Sequence, residues 1–497
     1  MKLASTFLFD LAHKLSKSEK RYIKVQHGNG QKDYMKLLEA ILKEKYFDEN
    51  QFKQKNKGAN FLKNLPVNKR YLYELLLQSL SRFGEKTIEN QVFESFTACR
   101  ILIDKGMSQA AHKELKKGQD LAEKYELYEL QIMLFGLEKR IQSSQLSKSS
   151  YNKVDSENIF NKEKDCLAQL ANTNEYWYIN NRLSQFQMQF QKIQTTDQKK
   201  HIREIVKSPK FTNRDLASNF KSQLFFYQAN STYQFMLSKA DKAQENNKLF
   251  LDFLESKPKF LKLYAERYLA TLNNLLIDSF VLGKKDVLKE ELNRLETLPS
   301  RPEFNSIKNL ASRVFRQKYL LQLNWSIRQH EFENASKWIP EVEIGLNKYG
   351  KSIEKHHRIT LYYLSAYLLF MSKEYDEALK WNNKILNDPK EDVVKEIFYF
   401  SRVLHILIHF ELKNFDLLDS LLLSTPRYLK ARRDIYRTEK ALFSFIRKLR
   451  NSADKKKKEA LFVLFKTKLD KLHKASKEQR VFNFIDLRLW LQNKLKK

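Results

Sequence analysis

The pattern of apolar and polar positions from Tyr362 to Pro389 predicts two consecutive helices. In its first half, apolar and small residues recur at helical spacing, which lets a neighbouring helix approach closely. Lys373-Glu374 is a polar break, and a second amphipathic pattern begins at Tyr375, with Ala378 on its apolar face. The segment therefore predicts one hairpin of two helices, which serves as a template for the rest of the chain.

Similar hairpins recur from Phe93 onward. An aromatic or apolar residue stands three positions before a small or apolar one, and Ala335, Ala378 and Leu418 follow each other at steps of 43 and 40 residues. Helical repeats of this length stack on their neighbours. The sequence predicts an all-α fold, an α-solenoid of stacked antiparallel helical hairpins with irregular repeats of about 40–48 residues. The repeat-signature residues are Phe332, Ala335, Tyr375, Ala378 and Phe415.

The pair Tyr375 and Ala378 at the start of a second helix resembles tetratricopeptide-like helical repeats. The chain departs from that pattern, because Ala366 and Lys373 stand where the family usually has glycine, and Asn382 replaces an aromatic residue. The resemblance implies stacked helical hairpins.

Longer stretches support a second resemblance. The segments LSKSEKRYIK, DYMKLLEAILKEKYFDE, FLKNLPVNKRYLYELLLQSL and DKGMSQAAHKELKKGQDLAEKYELYELQ are similar to an uncharacterised family of lysine-rich helical-repeat proteins from Bacteroidota. This resemblance covers most of the chain and implies no particular activity.

Local signals predict where helices begin and end. Ser16-Lys17-Ser18-Glu19 has the spacing of a capping box. Helix boundaries are expected at Pro209, Pro258, Pro299, Pro389 and Pro426, and a break or kink at Pro340. The predicted organisation is a basic N-terminal helical cap (1–85), first hairpins (86–142), a candidate linker (143–155), the solenoid (156–426) and a basic C-terminal helical end (427–497).

The charge is concentrated at the two ends of the chain. The net charge is +32; residues 1–85 carry 17 basic and 9 acidic residues, and residues 427–497 carry 23 and 7. An evenly spread compositional bias would not give this distribution. The strongly basic C-terminal end is therefore the candidate for contact with an anionic partner.

The sequence from 427 to 450 predicts one helix with an apolar face and an opposite basic stripe. The candidate residues for binding an anionic partner are Lys430, Arg433, Arg437, Lys440, Lys448, Lys455, Lys456, Lys457 and Lys458. Such a stripe suits the phosphates of RNA or DNA. It is equally typical of a face that is only solvated, and a basic amphipathic helix can also attach to a membrane surface.

Other candidate chemistry is sparse. His405 and His409 are spaced as metal-binding pairs are, but no third ligand is evident, and the adjacent His356 and His357 are expected to point in different directions. The chain has no glycine-rich phosphate loop, no H-E-x-x-H and no G-x-S-x-G motif. We therefore expect no catalysis, no metal and no cofactor.

Two cysteines cannot form a disulfide framework and indicate a cytoplasmic protein, and no apolar stretch is long enough to predict a membrane span. The expected function is a scaffold or adaptor that binds a protein or peptide on a helical-repeat surface, with added contact to an anionic partner through the basic ends. The alternative is binding of RNA, DNA or a ribonucleoprotein through the basic C-terminal helices. An enzyme without a recognisable motif is a minor alternative, and the oligomeric state is left open.

Overall fold

The computed structural model describes residues 6–28, 32–44, 46, 48–83, 87–145, 156–388 and 394–495. Within these ranges all regular secondary structure is helical and no β-strand occurs. The predicted all-α class is confirmed. Most of the candidate linker 143–155 lies outside the described residues, as does the helix boundary expected at Pro389.

The chain divides into two compact units, Met1–Ala171 and Asn172–Lys497. The first unit has one core in its first five helices, which includes Ile23, Met35 and Leu76, and another in the next three. Its helices are α1 Phe7–Lys14, α2 Lys17–His27, α3 Asp33–Lys43, α4 Glu49–Lys55, α5 Leu65–Phe83, α6 Ile88–Asp104, α7 Ser108–Lys124, α8 Tyr128–Gln145 and the first part of α9 Ser156–Phe190.

In the second unit, helices from α13 to α23 pack on the next helix along the chain or on the one after it. A large core continues from Phe315 to Leu491. After the rest of α9, its helices are α10 Thr196–His201, α11 Arg203–Lys207, α12 Pro209–Thr212, α13 Phe220–Met236, α14 Ala240–Glu255, α15 Pro258–Leu261, α16 Ala265–Leu282, α17 Lys285–Thr297, α18 Leu310–Arg328, α19 Ala335–Tyr349, α20 Lys355–Met371, α21 Tyr375–Leu386, α22 Lys395–Glu411, α23 Phe415–Lys430, α24 Arg437–Arg450, α25 Lys455–His473, α26 Gln479–Phe484 and α27 Leu487–Leu495.

The template hairpin is confirmed as α20 and α21, with its turn at Lys373-Glu374. One residue of the turn has a left-handed backbone conformation. The amide of the next residue donates to the carbonyl five positions before that amide, and this hydrogen bond closes a Schellman motif. The same turn recurs four more times in this unit, with bonds of 2.8–3.1 Å. Its left-handed residues, spaced by 45, 47, 43 and 40 positions, are Ser238, Gly283, His330, Lys373 and Lys413.

Several predicted boundaries are confirmed. The capping box forms at the start of α2, and Pro209 and Pro258 are the first residues of α12 and α15. Pro299 lies in a short 3₁₀ turn after α17.

The boundary predicted at Pro426 is wrong, because Pro426 lies inside α23. Pro340 lies inside α19, which continues through it, so the helix has no break there. Buried side chains on both sides of each proline, Ile339 and Val342 in α19 for example, anchor the helix to the core. Tertiary packing of this kind outweighs the backbone hydrogen bond that proline cannot donate.

The single basic helix predicted over 427–450 is also wrong, because α23 ends at Lys430 and α24 begins at Arg437. The new start is fixed by carboxylates. Glu439 accepts from the amide of Tyr436 at 3.0 Å. Glu478, buried and distant in sequence, accepts from the amides of Arg437 and Thr438 at 3.1 and 3.0 Å. Both provide acceptors for the unpaired amides at a helix N-terminus.

The C-terminal helices belong to the same core as the hairpins. Tyr363 of α20 donates to the carbonyl of Phe484 at 3.0 Å, and Tyr367 accepts from the amide of Asp486 at 3.0 Å. Trp490 of α27 donates to Glu411 of α22 at 2.7 Å. The segment from α26 to α27 therefore covers part of α20 and α22. Of the helices that the structure describes, none combines the length and apolarity needed to cross a membrane.

Candidate functional site

Eight of the nine basic residues singled out in the sequence are exposed and form no ion pair with a carboxylate in the described part of the chain. Lys430 ends α23, whereas Arg437, Lys440 and Lys448 lie on α24. Lys448 is in the last turn of α24, and the four lysines 455–458 begin α25 after a four-residue connection. The structure therefore brings the last five of these cations to neighbouring helix ends.

The lysine run at the start of α25 is compensated by Asp454. Its carboxylate caps the helix by accepting from the amide of Lys456 at 2.9 Å. A negative charge at this position offsets the unfavourable placement of cations at the positive end of a helix.

Arg433 does not belong to the exposed stripe. Its guanidinium forms a bidentate ion pair with Glu439 at 2.5 and 2.9 Å, and the Glu439 side chain is completely buried. The ring of Tyr436 lies 4.7 Å from the guanidinium. Arg433 therefore connects α23 and α24 and is not available to an anionic partner.

His405 and His409 pack together on α22, with ring centroids 4.4 Å apart. The amide of Asn414 contacts Nδ1 of His409 at 3.1 Å, and that of Asn382 contacts Nδ1 of His405 at 3.4 Å. Burial, the neighbouring His409 and Arg402 lower the pKa of His405 to about 4. The two histidines are therefore packed side chains of a helical hairpin.

His356 and His357 lie side by side, contrary to the expectation that they point apart. Their ring centroids are 3.8 Å apart, and their Nε2 atoms approach the same oxygen of Glu354 at 3.5 and 3.7 Å. These three residues could in principle hold a metal ion. The cluster lies at the positive end of α20, and the charge of Arg316 also acts on His357. Both effects disfavour a cation, so we assign no metal there.

Cys99 and Cys166 are buried free thiols. Burial raises the pKa of Cys99, and it raises the pKa of Cys166 to about 11. Neither is suited to act as a nucleophile at neutral pH, because the thiolate is the reactive form.

The repeat-signature residues have structural positions. Ala335 and Ala378 are almost fully buried in the core. Tyr375 and Phe415 are the first residues of α21 and α23, and Phe332 lies in the 3₁₀ turn before α19. Phe415 is exposed, with the guanidinium of Arg450 5.0 Å from its ring centroid.

A polar cleft in the second unit was not among the features predicted from the sequence. Its cavity volume is about 490 Å³, and α9, α13, α14 and α16 form its walls. Side-chain amides and hydroxyls dominate the lining: Asn180, Ser184, Gln187, Gln228, Ser231, Thr232, Asn247, Thr271 and Asn274. We call this the amide cleft.

Arg267 lies at one end of the amide cleft. It is exposed to solvent there, and no described carboxylate forms an ion pair with it. With the Gln228 amide turned so that its oxygen faces Arg267, Oε1 accepts from Nη2 at 2.8 Å and from Nη1 at 2.6 Å. The surrounding protein lowers the pKa of the guanidinium by desolvation. Among the described residues, Arg267 therefore has a neutral hydrogen-bond partner and no carboxylate that would neutralise its charge.

Asp278 lies towards the other end of the cleft. Its Oδ2 accepts from Asn247 at 2.8 Å, and Asn247 in turn accepts from Ser231 at 2.8 Å. Desolvation raises the pKa of Asp278 to about 6, although the hydrogen bond from Asn247 and the charge of Lys192 oppose this shift. Lys192 forms no direct ion pair with Asp278 in the described structure, because its ammonium donates to the Phe235 carbonyl and lies 3.4 Å from the ring centroid.

A second cavity of about 490 Å³ lies between α17, α18 and α19. Two of its lysines already have carboxylate partners, since Lys285 pairs with Glu331 at 2.7 Å and Lys318 with Glu296 at 2.9 Å. The amide cleft differs because its Arg267 and Asp278 have no such partners among the described residues. It is therefore the stronger candidate for a binding site.

Comparisons with protein-family models, with curated proteins and with solved structures found no match to this chain. The arguments for function consequently depend on the geometry of the amide cleft and of the basic surface.

Proposed function

We propose that the protein is a non-catalytic scaffold whose amide cleft binds an extended peptide segment of a partner protein. The observation that carries the proposal is the row of side-chain amides and hydroxyls along the cleft, with a charged group that forms no ion pair among the described residues towards each end. The volume of about 490 Å³ lies within the range of ligand sites.

The chemistry of the lining matches a polypeptide backbone. An extended peptide presents N–H donors and C=O acceptors in alternation, and each must find a partner when water is displaced. An Asn or Gln amide offers both a donor and an acceptor. Side chains such as Asn180, Gln187 and Asn274 can therefore bond to a peptide main chain whatever its sequence, and a few charged groups then select among sequences.

The architecture also supports this proposal. The five hairpins with identical turns are arranged, in our proposal, as an irregular tetratricopeptide-like solenoid. Hairpins stacked in this way present an extended surface of first helices, on which a peptide can lie against several helices at once. Because α26 and α27 cover α20 and α22, the open part of that surface is the earlier part, where the amide cleft lies.

A blocking variant tests this function. Ala270 is exposed within the cleft, so Ala270→Trp should place an indole in the peptide path without disturbing the core. Peptides selected from a random display library on the wild-type protein should bind Ala270→Trp at least about thirtyfold more weakly, a loss of about 2 kcal/mol. Fluorescence anisotropy with labelled peptides measures the change.

Glu290→Trp is the matched control, since Glu290 is exposed on α17 outside the cleft. Its affinity for the same peptides should equal that of the wild type. Equal binding of the peptides to Ala270→Trp, or a library that yields no binder, would refute the proposal.

The exposed cations of the C-terminal helices favour a second function, which is binding of RNA or DNA. Eight cations without carboxylate partners in the described residues can each approach a phosphate and release a counterion. The contact would be independent of sequence, because contacts to phosphates carry no sequence information.

Salt dependence tests this second function. The logarithm of the affinity for a generic duplex or RNA should fall linearly with the logarithm of salt concentration. Replacing the four lysines 455–458 by glutamine should reduce that slope by about three to four, or by less for a single strand. Glutamine at four exposed lysines of the first unit, Lys36, Lys43, Lys53 and Lys63, is the control. An unchanged slope in the first variant, or no binding at low salt, would rule this function out.

A further inference from the structure

We propose that the amide cleft selects an extended peptide with one acidic and one basic residue, separated by about three to five positions. This inference rests on the proposed peptide binding and adds the charge pattern of the ligand. It follows from the two charged groups of the cleft that form no ion pair with a described residue, the guanidinium of Arg267 and the carboxylate of Asp278.

Arg267 and Asp278 lie on one face of α16. They are 11 residues apart, which corresponds to just over three full turns and a rise of about 16 Å. The positions on α13 that lie near these two charged groups are also separated along the helix. Arg267 faces Gln228, whereas Lys192, which acts on Asp278, lies on Phe235 seven residues later, at a rise of about 10 Å.

Each charged group has capacity left for a ligand. The amide oxygen of Gln228 accepts from all three guanidinium nitrogens of Arg267, which leaves two of the five N–H donors for a carboxylate. At Asp278, Asn247 donates to Oδ2, and Oδ1 accepts no hydrogen bond from a described residue. Lys192 directs its ammonium to the Phe235 carbonyl, which leaves the Asp278 carboxylate open to another cation.

The distance between the two charged groups, together with their opposite signs, determines which class of ligand fits the cleft. A separation of about 10–16 Å equals three to five residues of an extended chain at about 3.3 Å per residue. A polyamine would be repelled by Arg267, and a nucleic acid by Asp278. A peptide that carries both signs of charge satisfies both groups, while the amides between them bond to its backbone.

Conservative variants test the charge pattern with the peptides selected above. In Arg267→Gln the positive charge is lost but the side chain keeps an amide, and in Asp278→Asn the new carbonyl oxygen can still accept from Asn247. Changing the acidic residue of the peptide to its amide should weaken binding about tenfold with the wild-type protein and less than twofold with Arg267→Gln. Changing the basic residue to glutamine should give the same result with Asp278→Asn.

The crossed combinations are the internal controls. The acidic change should still cost about tenfold with Asp278→Asn, and the basic change about tenfold with Arg267→Gln. The inference is supported if the effects on binding are coupled only in the two matched pairs, which are the acidic peptide change with Arg267→Gln and the basic peptide change with Asp278→Asn. If peptides bind in the cleft, as shown by loss of binding in Ala270→Trp, but show no such coupling, the charge pattern is refuted and the proposed function stands. If no peptide binds in the cleft, both fail.

Discussion

Replacing Arg433 by methionine should lower the free energy of unfolding by about 3–5 kcal/mol, the largest loss that we expect from any of the basic residues in this region. The substitution removes the bidentate partner of Glu439, whose side chain is completely buried. A carboxylate left without its cation in that position keeps its desolvation cost. Denaturation by urea, followed by circular dichroism, measures the loss.

The neighbouring basic residues provide controls for that measurement. Lys430→Met and Arg437→Met remove exposed cations that have no described ion pair, so each should change stability by less than about 0.5 kcal/mol. Adding Glu439→Gln to Arg433→Met should recover part of the loss, because the buried group is then neutral. Equal, small effects of all three single substitutions would contradict the assignment of Arg433 to the core.

Gly345→Ala should destabilise the second unit by about 1–3 kcal/mol, although alanine is the better helix former. Gly345 is buried in α19, where an added Cβ would lie 1.9 Å from Cε2 of Phe315. That ring belongs to the core, so it cannot move away without disturbing its neighbours. Thermal unfolding of the variant measures the effect.

Asn347→Ala is the matched control for this second substitution, since Asn347 is exposed on the same helix. It should be neutral or stabilise by a few tenths of a kcal/mol. Combining Gly345→Ala with Phe315→Leu should cost less than the sum of the two single changes, because the smaller side chain makes room for the methyl group. A Gly345→Ala protein as stable as the wild type would show that α19 and α18 are not so closely packed.

The sequence predicted the helical class and the template hairpin because both depend on hydrophobic periodicity, which is a local signal. The recurring turn was not predicted. Its left-handed position is usually glycine, but in the five turns of the second unit glycine occupies it once, at Gly283, while His330, Lys373 and Lys413 adopt the same conformation. Tertiary packing of the hairpins imposes this conformation on residues that do not favour it.

The basic surface was predicted in part. The lysines 455–458 are exposed, as a run of like charges indicates. In the sequence Arg433 is indistinguishable from Lys430, and only the fold reveals that the chain turns between two helices and buries Glu439 beside it. An ion pair across a helix break has no fixed spacing that a sequence pattern could show.

The amide cleft could not be predicted, because its lining comes from four helices spread over about a hundred residues of sequence. The one local signal is the polarity of the first helices of the hairpins. Asn274 is exposed on α16, which packs against helices on both sides, whereas Gln228 of α13 is buried beside Arg267. Such polar residues become informative only once the neighbouring helices are known.

Photo-cross-linking tests the central proposal, that the amide cleft binds an extended peptide, most directly. A peptide selected on the wild-type protein would carry a photoreactive side chain at its centre, and mass spectrometry would locate the attached residues. We predict attachment within 180–187 of α9, 228–235 of α13 and 267–278 of α16, and its loss in Ala270→Trp. Attachment confined to other surfaces, such as the basic region 437–458, would contradict the account.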